Sequence, residues 1–243
     1  MTQTQDSNST VLSTQAFTKR KLWVFIELAV CYGLILFALW TPRPLQRWFY
    51  WSAILWVVVT TCISFAGWRA MGFRIAGFWR SLWLVGAALS LAAAAVILAA
   101  RLHTLHAPGS FAQWIGTFLG YAIWSFVQQF LMQGYFLLRI LQLVPNPKWA
   151  AATTALIFAL AHLPNPILTP LTLFWGLAAC LVFLRHRNLY PLAIAHAIFG
   201  ICIAITIPGP VVRNMRVGLG YLTYHQHGHH HFSQSPHTAS TIA

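Results

Sequence analysis

Long stretches without a single charged residue are the feature that most limits how this chain can fold. Positions 48–68 and 81–100 hold no Lys, Arg, Asp or Glu. Each run is as long as the roughly 20 residues that a helix needs to cross the hydrocarbon core of a bilayer. Two further runs, 102–138 and 149–184, are nearly twice that length and are interrupted by prolines. The pattern predicts an all-α, polytopic transmembrane helical bundle.

The apolar runs predict about seven spans, with eight as the alternative way of dividing the longest runs. A polar N-terminal arm is expected at 1–21, a single transmembrane domain at 22–208, and a disordered, His-rich tail at 209–243. The expected spans are 22–41, 48–68, 81–100, 112–138, 149–163, 168–184 and 188–207.

The charge content excludes a soluble protein. Only 7% of the residues are charged, against about 25% in soluble domains. The 15 Lys and Arg residues oppose only Asp6 and Glu27, which gives a formal net charge of +13. Such an excess is common in nucleic-acid-binding proteins. Here the basic residues are scattered singly between apolar runs, so no nucleic-acid partner is predicted.

The basic residues also predict the orientation in the membrane. With seven spans, the loops on the N-terminal side hold ten Lys and Arg, and the opposite side holds five. The positive-inside rule therefore places the N-terminus in the cytoplasm. With eight spans, the C-terminal tail would lie there too. The expected location is a bacterial inner (plasma) membrane.

Polar side chains inside the predicted spans are the candidate functional residues, because a polar group in the bilayer is costly. They are Glu27 in the first span, Gln128, Gln129 and Gln133 in the fourth, His162 in the fifth and His196 in the seventh. Gln129 and Gln133 are four residues apart and share one face of an α-helix. Any one of these groups alone is explained by a hydrogen bond to a neighbouring helix, which contributes about 1 kcal/mol. Three neighbouring helices that each supply one favour a site.

The order of these residues resembles the CPBP family of intramembrane proteases, which includes CAAX proteases and bacteriocin-processing enzymes. The family motifs are Glu-Glu-x-x-x-Arg, then Phe-x-x-x-His, then His-x-x-x-Asn or Asp. Phe158 and His162, continued by Leu-Pro-Asn-Pro, match the second motif, and His196 begins the third. The resemblance covers about 112–205. It implies a membrane-embedded peptidase in which a glutamate activates water while two histidines stabilise the oxyanion.

The first motif differs from the family at each functional position. Gln128, Gln129 and Gln133 stand where the resemblance places two glutamates and an arginine, and Gly200 stands where it places Asn or Asp. An amide cannot act as a general base, but it can donate to an oxyanion or orient a water. Loss of the carboxylates together with the arginine avoids a buried unpaired charge. The site therefore resembles a neutral version of the family's, although helix packing also explains buried glutamines.

Glu27 is the one carboxylate left inside a predicted span. One hypothesis is that it packs against the fourth span and replaces the missing base, helped by a low-dielectric setting. The alternative is that it lies near the interface, where it snorkels or pairs with Lys21 or Arg20.

No cofactor or metal is predicted. The four cysteines lie inside predicted spans without CxxC spacing. The two intramembrane histidines could ligate zinc, but a catalytic zinc site normally needs a third protein ligand. The histidines of 225–231 could bind a transition metal, although a solvated tail is the simpler interpretation.

Two functions remain open at this stage, with a small transporter or channel as a weaker third because no inverted repeat is visible. The first is an intramembrane endopeptidase that acts on a membrane-associated peptide or protein. In it, His162 and His196 stabilise the tetrahedral intermediate, while Gln128 and Gln129 position water or carbonyl. The second is a pseudoprotease that binds a peptide or lipid as an immunity factor or scaffold. The bilayer is a partner in both, and the oligomeric state is left open.

Overall fold

The computed structural model describes residues 3–224, with side chains from residue 17 onwards, and that part of the chain is helical without a strand. The main helices are α1 (Gln3–Trp40), α2 (Gln46–Ile63), α3 (Phe78–Ser81), α4 (Trp83–Arg101), α5 (Phe111–Gln129), a π-helix (Phe130–Leu137), α6 (Leu138–Leu143), α7 (Pro147–Leu160), α8 (Leu168–His186) and α9 (Tyr190–Thr206). Short turns follow at α10 (Gly209–Val212), a 3₁₀ turn (Arg213–Met215) and α11 (Leu219–Leu222).

Each predicted span corresponds to a helix, so the prediction of a polytopic helical bundle is confirmed. Three helices of the described chain are long and apolar enough to cross a membrane by length and composition, namely Phe17–Trp40, Phe78–Arg101 and Leu168–His186. Tyr190–Thr206 is a shorter apolar helix. Large apolar side chains cover the outside of the bundle, as lipid contact requires: Phe111 is 81% exposed and Phe174 is 71% exposed.

Several helix boundaries differ from the predicted spans, for local reasons. The apolar part of α1, Phe17–Trp40, agrees with the first span, and the helix continues back to Gln3 because the polar arm contains no Gly or Pro to stop it. The second span ends at Ile63 instead of 68, since the chain then turns through Gly67 at a φ of 90° that favours glycine. α7 begins at Pro147, where the side chain of Asn146 caps the helix by accepting from the backbone N–H of Lys148 at 2.9 Å.

The continuous helix formed by α5, the π-helix and α6 lies at the centre of the bundle. Its π-helix contributes three of the four largest fully buried side chains, Tyr135, Met132 and Leu137. α7 and α8 pack together on one side of it, while α9 packs between α4 and α5. Gly134 leaves room for the ring of Phe130, because a Cβ there would lie only 3.0 Å from the nearest ring carbon.

The C-terminal strap, which we define as residues 209–224, is folded onto the bundle, so the predicted disorder is wrong for this part of the tail. The side chain of Asn165, which is fully buried, donates to the Val212 carbonyl oxygen at 2.9 Å. The backbone N–H of Gly218 donates to the Leu163 carbonyl oxygen at 2.8 Å. These bonds hold the strap against the turn that follows α7. The predicted His-rich segment lies outside the described residues.

Candidate active site

Gln129 and His196 form a buried hydrogen-bonded pair between α5 and α9. Gln129 is the last residue of α5, and its amide Nε2 lies 2.9 Å from Nδ1 of His196. An amide nitrogen only donates, so Nδ1 accepts and the imidazole proton is on Nε2. Gln129 is fully buried and its Oε1 has no hydrogen-bond partner. The pair therefore fixes the tautomer of His196 and leaves it a donor.

His162 has the opposite tautomer. It follows the end of α7 and is half-buried, and its Nδ1 lies 2.7 Å from the carbonyl oxygen of Phe158. A carbonyl oxygen only accepts, so Nδ1 carries the proton and Nε2 keeps its lone pair. Neutral His162 can therefore accept a proton at Nε2, whereas neutral His196 can donate a hydrogen bond from its own Nε2.

Phe158 joins the two histidines. Its ring centroid lies 4.8 Å from that of His162 and 6.0 Å from that of His196, both with edge-to-face geometry. Trp175 of α8 contacts His196 from another direction, at 6.0 Å between centroids. The helices thus bring together Gln129, His162 and His196. Among the described residues, no third His, Cys, Asp or Glu joins the pair to form a metal-binding group.

Gln128 and His162 line the same cavity, which has a volume of about 740 Å³. The rest of its wall comes from α1, α2, α5, the π-helix, α7 and the strap, and it is predominantly apolar: examples are Tyr32, Val57, Trp124, Phe136 and Ile157. The site therefore combines an apolar binding space with one imidazole and two primary amides, those of Gln46 and Gln128, in its wall.

Gln133 does not join this site. The π-helix begins directly after Gln129 and contains Gln133. Gln129 bonds to α9, whereas Gln133 lies against Cys180 of α8. Neither polar atom of the Gln133 side chain has a hydrogen-bond partner.

Glu27 packs against the central helix as one hypothesis expected, but it has a different partner. Its Oε2 accepts from Nε of Arg139 at 2.8 Å, and its Oε1 accepts from the hydroxyl of Ser64 at 3.0 Å. Glu27 makes no hydrogen bond with either His162 or His196. Both carboxylate oxygens are thus engaged by groups other than the two histidines. Its contacts support neither the role of general base nor an interfacial pair with Lys21 or Arg20.

Arg139 is the residue of this cluster that the sequence analysis missed. It is only 4% exposed, although it was counted as a loop residue when the orientation was predicted. Without Arg139, the loops on the N-terminal side hold nine Lys and Arg and the opposite side holds five. Its Nη2 donates to the Thr60 carbonyl oxygen at 3.1 Å, and its guanidinium lies 3.7 Å above the Tyr135 ring. Charge pairing could have identified it. A buried Glu27 requires a cation nearby, and Arg139 stands at the end of an uncharged run, next to a predicted span.

Tyr121 is a second missed residue. His196 and Gly200 are one turn apart on α9, and a Cβ at Gly200 would fall on the Tyr121 hydroxyl. The Tyr121 side chain, which projects from α5, therefore fills the space left by the absent side chain of Gly200. The third motif of the resemblance places Asn or Asp at this position of α9. In this chain the phenol of Tyr121, from α5, lies in the space that such a side chain would occupy.

Residues 110–202 match the family described as type II CAAX prenyl endopeptidase Rce1-like. This range agrees with the 112–205 expected from the motifs and contains Gln128, His162 and His196, so the resemblance is confirmed. A search of curated proteins and a search of solved structures each gave no match. The family match and the apolar helices together identify an integral membrane protein with a domain similar to a membrane peptidase family.

Proposed function

We propose that this chain, whose residues 110–202 match a CAAX prenyl endopeptidase family, is an intramembrane endopeptidase of a bacterial inner membrane. Its substrate is a membrane-associated peptide or protein. The observation that carries the proposal is the placement of His162, whose Nε2 lone pair is available in the wall of an apolar cavity of about 740 Å³. An imidazole with that tautomer supplies the proton acceptor that Gln128 and Gln129 cannot supply.

In the proposed mechanism, Nε2 of His162 takes a proton from a water molecule, and the oxygen attacks the scissile carbonyl carbon. The Nε2–H of His196 and the amide of Gln128 donate to the oxyanion. Protonated His162 then gives its proton to the leaving amine as the C–N bond breaks. A positioned general base contributes about 10²–10⁴-fold to such a reaction, and an oxyanion donor about 10²–10³-fold.

Gln129 is a positioning residue in this scheme. Its amide donates to Nδ1 of His196 and so keeps the imidazole proton on Nε2, which is the nitrogen that would face the oxyanion. The substrate fits the cavity by apolar contact, since most of the wall is apolar. Its polar side chains are Tyr32, Gln46, Tyr50, Gln128, Thr154 and His162. A lipid-modified or strongly apolar peptide segment satisfies that requirement.

The second candidate is a pseudoprotease that binds such a segment without cutting it. It is favoured by the unpartnered amide atoms of Gln129 and Gln133, which stand in place of the charged groups of the family's first motif. The two candidates share the cavity and differ only in the chemical step.

The test is cleavage by the purified chain in detergent of a peptide panel that includes lipid-modified members. We expect cleavage by the wild type and a loss of at least ~100-fold for His162→Ala. His106→Ala is the matched control, because His106 makes the same Nδ1-to-carbonyl contact, at 2.8 Å to Thr104, but is exposed and does not line the cavity. Equal activity of both variants would refute the role of His162. If the wild type binds the peptides without cutting them and only the Gln129→Glu variant cuts them, the protein is a pseudoprotease.

A further inference from the structure

Two arginines that have no partner among the described residues border a pocket on the outer surface of the bundle. Arg80 of α3 and Arg185 of α8 line a space of about 450 Å³ together with Trp83, Leu181, Val182 and His186. Both guanidinium groups are exposed, and neither makes a hydrogen bond or an ion pair within the described chain. The pocket is therefore cationic at one end and apolar along its floor.

The protein holds these charges in place. The side chain of Asn188 donates to the Arg74 carbonyl oxygen at 2.7 Å, and the backbone N–H of Leu189 donates to the Gly72 carbonyl oxygen at 3.1 Å. These bonds fix the loop before α3 against the turn between α8 and α9. As a result, cations from two distant parts of the sequence are kept next to each other.

The mutual repulsion of these cations is not balanced inside the protein. Burial and the neighbouring charge of Arg74 lower the pKa of the Arg187 guanidinium, which lies at the same turn. Glu27 is the only acidic side chain described, and it is buried against Arg139. An anion that neutralises this face must therefore come from outside the described chain.

We propose that the pocket bordered by Arg80 and Arg185 binds the headgroup of an anionic phospholipid. The guanidinium fork matches the oxygens of a phosphate, and basic pockets between transmembrane helices are suited to such headgroups. Trp83 and Leu181 provide the apolar wall along which the glycerol and upper acyl chains lie. The exposed indole of Trp79, 77% accessible, continues this surface as an interfacial anchor.

The test measures binding of dioleoylphosphatidylglycerol to the full chain in detergent by native mass spectrometry, with dioleoylphosphatidylcholine as the neutral lipid. The wild type should retain one phosphatidylglycerol preferentially. The double variant Arg80→Gln with Arg185→Gln should bind phosphatidylglycerol about 30-fold more weakly, since each basic residue near the membrane surface contributes about fivefold to the affinity. Arg43→Gln with Arg47→Gln is the control, because it removes the same charge from exposed positions outside the pocket and should leave the preference unchanged.

A third variant separates the pocket from its charge. Leu181→Trp keeps every arginine, fills the apolar floor and should also weaken phosphatidylglycerol binding. Equal retention of the two lipids by the wild type would overturn the proposal, as would an equal loss in the Arg43 and Arg47 control. Displacement of phosphatidylglycerol by an equal concentration of glycerol 3-phosphate would assign the pocket to a soluble phosphate instead of a lipid.

Discussion

Removal of the Glu27 carboxylate should destabilise the whole bundle. Arg139 is only 4% exposed, and the Glu27→Ala substitution removes its 2.8 Å ion pair while leaving it buried. Two backbone acceptors would stay in place, the Thr60 oxygen at 3.1 Å and the Tyr135 oxygen at 3.4 Å. Breaking a buried pair on one side costs about 3–5 kcal/mol. We expect the lower end, about 3 kcal/mol, because those two carbonyls still solvate the guanidinium.

The double variant Glu27→Leu with Arg139→Met distinguishes this cost from the loss of packing. Replacing both charges with apolar side chains of similar volume is close to neutral in buried pairs. We therefore expect each single variant to be destabilised and the double variant to lie within about 1 kcal/mol of wild type. A double-mutant cycle then gives a coupling free energy, which isolates the pair from its surroundings.

The assay is thermal unfolding in detergent, followed with a dye that fluoresces on reaction with thiols. Cys31, Cys180 and Cys202 are buried and report unfolding, while Cys62 is exposed and sets the baseline. On the scale of domains of this size, about 3 kcal/mol lowers Tm by about 6–12 °C. Purely additive losses would refute the ion-pair reasoning. A Glu27→Gln variant that keeps its Tm but loses cleavage would instead restore the general-base hypothesis.

Three further predictions concern the helix contacts around the site. Gly200→Ala should lower the free energy of unfolding by about 1–3 kcal/mol, because its Cβ would overlap the Tyr121 hydroxyl. Adding Tyr121→Ala to this variant should restore most of the lost stability in the thermal assay. No recovery would contradict the overlap. Gln129→Leu removes the donor to Nδ1 of His196 and should lower kcat by about 10–100-fold with little change in KM; a change in KM alone would contradict a positioning role. Asn165→Ala removes two bonds to the C-terminal strap, so limited proteolysis should cut the strap faster than in wild type, and an unchanged rate would show that other contacts hold it.

The spans were predictable because hydrophobicity over about 20 residues depends on composition alone. The position of His162 was equally accessible, since Phe158 and His162 lie one helical turn apart in the sequence. The partner of Gln129 was not accessible, because its bond to His196 connects two helices through residues 67 positions apart. The folded strap was missed for a related reason: its bonds to Asn165 and Leu163 connect residues about 50 positions apart.

The sequence by itself determined that this chain crosses a membrane, and it located Glu27, Gln129, His162 and His196 inside apolar runs. Only the tertiary structure decided how those polar groups pair. Glu27 bonds to Arg139, Gln129 bonds to His196, and Tyr121 fills the space beside Gly200. The physical reason is that a buried polar group must find a partner across helices. Its choice depends on helix rotation and depth, which a linear pattern does not contain.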